Sequence, residues 1–124
     1  MIEVVSPAWF SIVVDGGRYG YADVGVPGSA ALDQFAYNFL NYLVGNETGA
    51  PVLEVMGNEF CVRLNAEMTC AITGAQVTAY LDDRPITPWY HLPHTKEALS
   101  GLRKCWKASA TMWVFQVSWR WTGL

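Results

Sequence analysis

Between residues 52 and 83 a turn signal interrupts the chain every eight to ten residues, which leaves room for little except short strands. The runs are VLEVM (52–56), FCVRL (60–64), MTCAIT (68–73) and QVTAYL (76–81), rich in β-branched and aromatic residues. Gly57-Asn58, Asn65-Ala66 and Gly74-Ala75 separate them, and Asp82-Asp83 closes the last. Runs this short cannot hold a stable helix, and their spacing points to a sandwich or barrel rather than alternating β-α units.

One segment obeys a different period. Leu32, Phe35, Ala36, Phe39, Leu40, Leu43 and Val44 follow the i, i+3, i+4, i+7 rule, which predicts an amphipathic helix with those residues on its buried face. Ser29 is a good N-cap candidate, Asp33 falls in the first turn where a carboxylate favours the helix dipole, and Gly45-Asn46 supplies the stop. Upstream, FSIVVD (10–15) reads as a buried strand. The chain is thus expected to be mainly β with one amphipathic helix.

Strand and helix are joined by a glycine-rich stretch, VVDGGRYGYADVGVPGSAALD (13–33), which carries Asp15, Arg18, Asp23 and Asp33. Gly16-Gly17, Gly20 and Gly25 permit tight turns, and Pro27-Gly28 suggests a type II turn. Three readings fit. The glycines only turn the chain; or they cradle a phosphate, although neither G-x-x-x-x-G-K-[ST] nor G-x-G-x-x-G is present; or they form the lip of a small-molecule site. In the last reading Arg18 meets a carboxylate, and Asp15 orients Arg18 or a polar substrate.

Composition narrows the partners. A net charge of -3 argues against general nucleic-acid binding, and no apolar run approaches the roughly 20 residues that span a membrane. Cys61, Cys70 and Cys105 are odd in number and form no C-x-x-C, and no signal-peptide pattern opens the chain, so reduced thiols in a cytoplasm are expected. Cys61 and Cys70 read as small hydrophobes in strands.

An ordered set of landmarks runs through the first 90 residues. They are V-x-D-x-G-R-x-G-Y from Val13 to Tyr21, G-V-P at 25–27, Asp33 at the helix start, N-x-L-V-G-N at 41–46, L-E at 53–54 and T-G-A at 73–75. Asp82, Arg84, Pro85, Pro88 and Trp89 continue it. This pattern resembles the allophanate hydrolase subunit 2 family. That family includes the KipI antagonist KipA, the third subunit of bacterial ATP-dependent 5-oxoprolinase, and the first part of the carboxyltransferase domain of urea carboxylase. Gly28, Ala30 and Leu32 depart from the family's usual proline, glycine and methionine.

The resemblance implies a cyclophilin-like β-barrel, of which residues 1–90 would be the N-terminal portion. It implies a partner, an allophanate hydrolase subunit 1 (KipI-like) chain, and in the oxoprolinase system a further subunit. The chemistry implied is an ATP-dependent opening of the 5-oxoproline lactam, or transfer of a carboxyl group from biotin to urea. ATP would be used in the complex rather than bound by this segment, and biotin enters only for the urea carboxylase type. A small amide or lactam gains charge on its carbonyl oxygen and needs fixed donors, for which Arg18 and the backbone N–H groups of Gly16, Gly17, Gly74 and Ala75 are candidates. Asp15, Arg18, Asp33 and Glu54 are the candidate catalytic residues. For Asp33 helix capping competes with that role, and for Glu54 an ion pair with Arg18 or Arg84 does. A regulatory module that acts by occupying a KipI-like partner is the alternative.

The character of the chain changes near residue 91. Residues 1–90 hold three basic and ten acidic residues, whereas residues 91–124 hold five basic residues, one acid, both histidines and four of the six tryptophans. His91, His94 and Cys105 lack a fourth ligand at standard spacing, so no metal site is expected. VFQVSWRW (114–121) alternates and would form one more strand, with much aromatic surface left over. Family members continue differently. Back-translated and read two nucleotides later, residues 94–115 can encode a G-x-x-F-x-F run followed by G-V-R-x-Y, which resembles that continuation. The expectation is therefore an atypical, frameshifted tail on a truncated chain that is inactive alone. The nucleotide sequence beyond codon 85 tests this: a neighbouring frame that continues into a family-like second domain is the expected result.

Overall fold

The computed structural model describes residues 2–64, 68–90, 104–109 and 114–121; in the last two stretches side chains are described for Gln116 and Arg120. Nine strands and one α-helix occur among these residues. They are β1 (Ile2–Pro7), β2 (Phe10–Val14), α1 (Gln34–Val44), β3 (Val52–Met56), β4 (Phe60–Leu64), β5 (Met68–Gly74), β6 (Thr78–Leu81), β7 (Arg84–Ile86), β8 (Lys104–Ser109) and β9 (Val114–Trp121). A 3-10 turn, Ala22–Val24, interrupts the glycine-rich connection.

The strands form two antiparallel sheets. One has the order β1-β4-β8-β6-β7 and the other β2-β3-β9-β5. Both take an inner strand from the stretch beyond residue 90. Among the described residues the two sheets stay open, so the mainly-β architecture with one helix is what the chain adopts, without hydrogen-bonded closure into a barrel.

Alternation along β3 and β5 builds three layers. Val55, Cys70 and Ile72 meet Phe60, Val62, Leu64, Val77 and Ala79 in a core that involves both sheets. Their neighbours Val52 and Ala71 turn the other way and pack with Val14, Ala31, Tyr37, Leu40 and Val44 beneath the helix. β3 and β5 are therefore covered on both faces, which is why they read as almost continuous apolar runs, whereas β2, expected to be buried, lies at the sheet edge with Phe10, Ile12 and Val13 exposed. Cys61 and Cys70 are buried in β4 and β5, as expected. His91 and His94 lie outside the described residues, and Cys105 is described only by its backbone, opposite Arg63.

The helix differs from its sequence reading in two respects. Its buried face is Ala36, Tyr37, Leu40, Asn41 and Val44, whereas Leu32 and Phe35 remain 72% and 73% exposed. The rotation has a polar cause: Tyr37 Oη and Asn41 Nδ2 both donate to Ala50 O, at 2.9 Å each, so these two residues go inside with their polar atoms satisfied. Phe35 and Phe39 instead pack near the Trp89 ring, with centroids 6.1 and 5.7 Å away.

Asp33, not Ser29, is the N-cap. Its backbone is extended and its Oδ1 accepts from Ala36 N at 2.9 Å. Ser29 is too far upstream and takes a left-handed φ of 47°. Gly28 does not, so Pro27-Gly28 is no type II turn. At the other end Gly45 adopts the left-handed C-cap conformation as expected, and the Arg120 guanidinium donates to its carbonyl. In urea unfolding, Asp33→Ala is expected to lower stability by about 1 kcal/mol, while Ser29→Ala changes it by no more than a few tenths.

Candidate functional site

Strand register brings three polar residues into one row. Glu54 on β3 stands opposite Gln116 on β9, and Gln116 stands opposite Thr73 on β5. All three are buried, with exposures of 8%, 0% and 0%. Each grips the backbone at the start of α1. Glu54 Oε2 accepts from Leu32 N at 2.8 Å, Gln116 Nε2 donates to Asp33 O at 3.1 Å, and Thr73 Oγ1 donates to Ala36 O at 2.9 Å. Gln116 Nε2 also donates to Glu54 Oε2 at 3.1 Å, which links the row.

The segment 30–33 is held from its other side by the glycine-rich connection. Asp15 bridges Ala30, and Ala31 N donates to Asp15 O at 3.1 Å. Gly17 makes this approach possible. Its φ is +87°, and a Cβ there would stand 2.5 Å from Ala30 Cβ and 2.8 Å from Gly28 O. Gly17 N donates to Asp15 Oδ1 at 2.8 Å, and Arg18 N donates to Gly28 O at 2.7 Å, so the loop between them closes on itself.

Five of the sequence candidates thus converge. Asp15, Gly16, Gly17, Asp33 and Glu54 lie around the segment that enters α1, and Gly74 and Ala75 directly follow Thr73 at the end of β5. Their roles differ. The Gly17 N–H is committed to Asp15, and the Asp33 carboxylate caps the helix. Arg18 is exposed, and its side chain makes no hydrogen bond or ion pair among the described residues. Glu54 pairs with neither Arg18 nor Arg84; its donors are Leu32 N–H and Gln116, because the row beneath the helix encloses it.

Sequence reading misses Gln116, Thr73 and Tyr37 as parts of this site. The signal available is a polar residue, Glu54, Thr73 or Gln116, within each of three strands, which becomes informative only once the strands are known to be neighbours. Alternation along VFQVSWRW puts Gln116 on a polar face, yet that face lies under the helix.

Tyr37 is 1% exposed and adjoins Asp15 and Gly16. Burial pushes its phenol above the ordinary range and the Asp15 charge pushes it further, while hydrogen bonds from Asn41 and Gly16 act in the opposite direction. Among the described residues no group of three His, Cys, Asp or Glu side chains could hold a metal ion, and no helix is long and apolar enough to cross a membrane.

This arrangement of two sheets with a helix pinned to one face has a solved counterpart within a much longer chain. The crystal structure of the K. lactis urea amidolyase contains it with a TM-score of 0.84 and 26% identity, covering 96% of this chain and 7% of that one. The chain belongs to the carboxyltransferase domain, subdomain A and B, family, whose pattern matches residues 24–108. It is 34% identical over 93 residues to a 5-oxoprolinase subunit of Escherichia coli (strain K12), a match that spans 75% of this chain and 30% of that protein. It is 36% identical over 85 residues to urea amidolyase of Lachancea kluyveri, spanning 68% of this chain and 5% of that protein. The relationship read from the landmarks between Val13 and Trp89 is therefore correct.

The raised Tyr37 value sets the direction of a pH effect. A phenol held neutral by folding contributes stability that is complete below about pH 10 and is lost as pH rises through the higher folded value. Spectrophotometric titration is expected to show a phenol ionising above about pH 10 that disappears in Tyr37→Phe. The same variant is expected to lose about 1 kcal/mol at neutral pH, from the Ala50 hydrogen bond, and to lose less stability than wild type on going alkaline.

Proposed function

We propose that this chain is part of a subunit of an ATP-dependent amide- or lactam-processing complex, of the 5-oxoprolinase or the carboxyltransferase type. The observation that carries the proposal is the 34% identity over 93 residues to the Escherichia coli 5-oxoprolinase subunit, together with a family match over residues 24–108 that contains Asp33 and Glu54. The chain spans 30% of that relative, so it is proposed to act inside an assembly and to be inactive alone. The partner proposed is a subunit 1 (KipI-like) chain, with a further subunit in the oxoprolinase case. ATP would be consumed in that complex, and biotin would serve as carboxyl donor only in the urea carboxylase case. A cytoplasmic setting is in keeping with the odd cysteine count.

The chemistry needs a donor for a carbonyl oxygen that gains negative charge and a carboxylate held at a fixed angle. Exposed Arg18 is the cation available for the first role, and the N–H groups of Gly74 and Ala75 are further candidate donors. Glu54 supplies the second. Its Oε2 is tied to Leu32 N–H and Gln116, whereas its Oε1 has no hydrogen-bond partner among the described residues. Asp33 is proposed as scaffold, since its carboxylate is used by the helix.

A regulatory module that occupies a KipI-like partner is the second reading. The exposed apolar side of α1, with Leu32, Phe35 and Tyr42 all more than 70% exposed, supports a protein contact under either reading.

Reconstitution with a subunit 1 chain and an ATP-using subunit separates them. ADP release that depends on 5-oxoproline, or on urea in a biotin-containing system, is the expected result, with kcat/KM falling about 100-fold in Arg18→Ala. Tight binding to the subunit 1 chain without turnover of either substrate would overturn the enzymatic reading in favour of regulation.

A further inference from the structure

Gln116 uses only half of its amide. Nε2 makes two hydrogen bonds, to Glu54 Oε2 and Asp33 O, while Oε1 is buried with no partner among the described residues. The orientation is dictated by its surroundings: both nearby groups are acceptors, so turning the amide over would set oxygen against oxygen. A buried acceptor left unmade is a cost to folding, and an apolar side chain of similar length would avoid it. The amide therefore carries one unmade acceptor and offsets it with two donated bonds, one of them to a buried carboxylate. What the amide uniquely supplies is a donor aimed at one oxygen of Glu54.

We propose that Gln116 is the positioning residue of Glu54, a step that rests on Glu54 being the acting carboxylate of the function proposed above. Gln116 and the Leu32 N–H together engage Oε2, which fixes the plane of the carboxylate and leaves Oε1 as the oxygen available to a substrate. The second bond of Nε2, to the carbonyl of the helix N-cap Asp33, ties that plane to the start of α1. Carboxylate, helix start and the segment held by Asp15 thus keep a single mutual geometry. Thr73 sits in the same row and also grips the helix, yet it makes no hydrogen bond to Glu54 among the described residues, so it provides a control.

The test compares Gln116→Met with Thr73→Val in the full chain. Met fills nearly the same volume without polar atoms and is expected to fold. The first readout is the 13C signal of the Glu54 side-chain carboxyl, identified by its absence in Glu54→Gln, together with the Leu32 amide signal. In Gln116→Met both are expected to move or broaden, and in Thr73→Val the Glu54 signal is expected to stay. The second readout is turnover in the reconstituted complex, where Gln116→Met is expected to lower kcat at least tenfold with KM within twofold of wild type. Unchanged Glu54 and Leu32 signals in Gln116→Met would overturn the proposal, as would displaced signals with unchanged kcat in an active complex. A wild-type complex without turnover counts against the functional reading alone, because the carboxyl signal still decides whether Gln116 positions Glu54. If Gln116→Met does not fold, Gln116→Asn, one methylene shorter, is read by the same signals.

Discussion

Three side chains on adjacent strands hold the first turn of α1, and most of the molecule is arranged around that grip. Glu54, Gln116 and Thr73 meet the backbone at Leu32 N, Asp33 O and Ala36 O. A polar row beneath a helix is tolerable only when it is matched, since each buried group left without a partner costs about 1–3 kcal/mol. The helix backbone provides the partners. The row therefore requires the helix to begin at one residue, and a helix begun one residue earlier would present the wrong groups. Asp33 as N-cap and Asp15 on the far side of segment 30–33 secure the same register from outside the row.

The consequence for the site is that its carboxylates have distinct tasks, although all lie near one helix terminus. Asp33 is consumed by capping and Asp15 by the turn at Gly17. Each of the three engages one oxygen, and in Glu54 that oxygen is anchored twice, by the Leu32 N–H and by Gln116. An anchored group with one free atom is preorganised: it loses little freedom when a ligand arrives. The glycine-rich connection then has two functions at once. It lets the chain pass close to Ala30, and it presents Arg18 on the surface beside the segment that Glu54 holds.

Much of this was legible in the sequence where the physics is local. β3 and β4 fall on the runs VLEVM and FCVRL, β9 falls on VFQVSWRW, and the Gly45 stop ends the helix as its left-handed preference requires. Three strands were not legible. β1 mixes Ile2, Val4 and Val5 with Glu3, Ser6 and Pro7, β7 contains Pro85 within three residues, and β8 reads KCWKAS with two charges, so none stands out as an apolar run. Two errors came from judging polar residues by type. Tyr37 and Asn41 are buried because both can reach Ala50 O, and Gln116 is buried because Glu54 stands opposite it. Such assignments depend on partners 9 to 62 residues away, which no local window contains.

The central claim, that a buried polar row holds the start of α1, is tested most directly at the Leu32 amide. Leu32 is 72% exposed as a residue, so without the Glu54 bond that amide would exchange with solvent as in an open loop. Native-state hydrogen exchange is predicted to find the Leu32 amide protected to the level of the β3 and β5 amides, and to find that protection lost in Glu54→Ala. Rapid exchange at Leu32 in the wild-type chain would contradict the account.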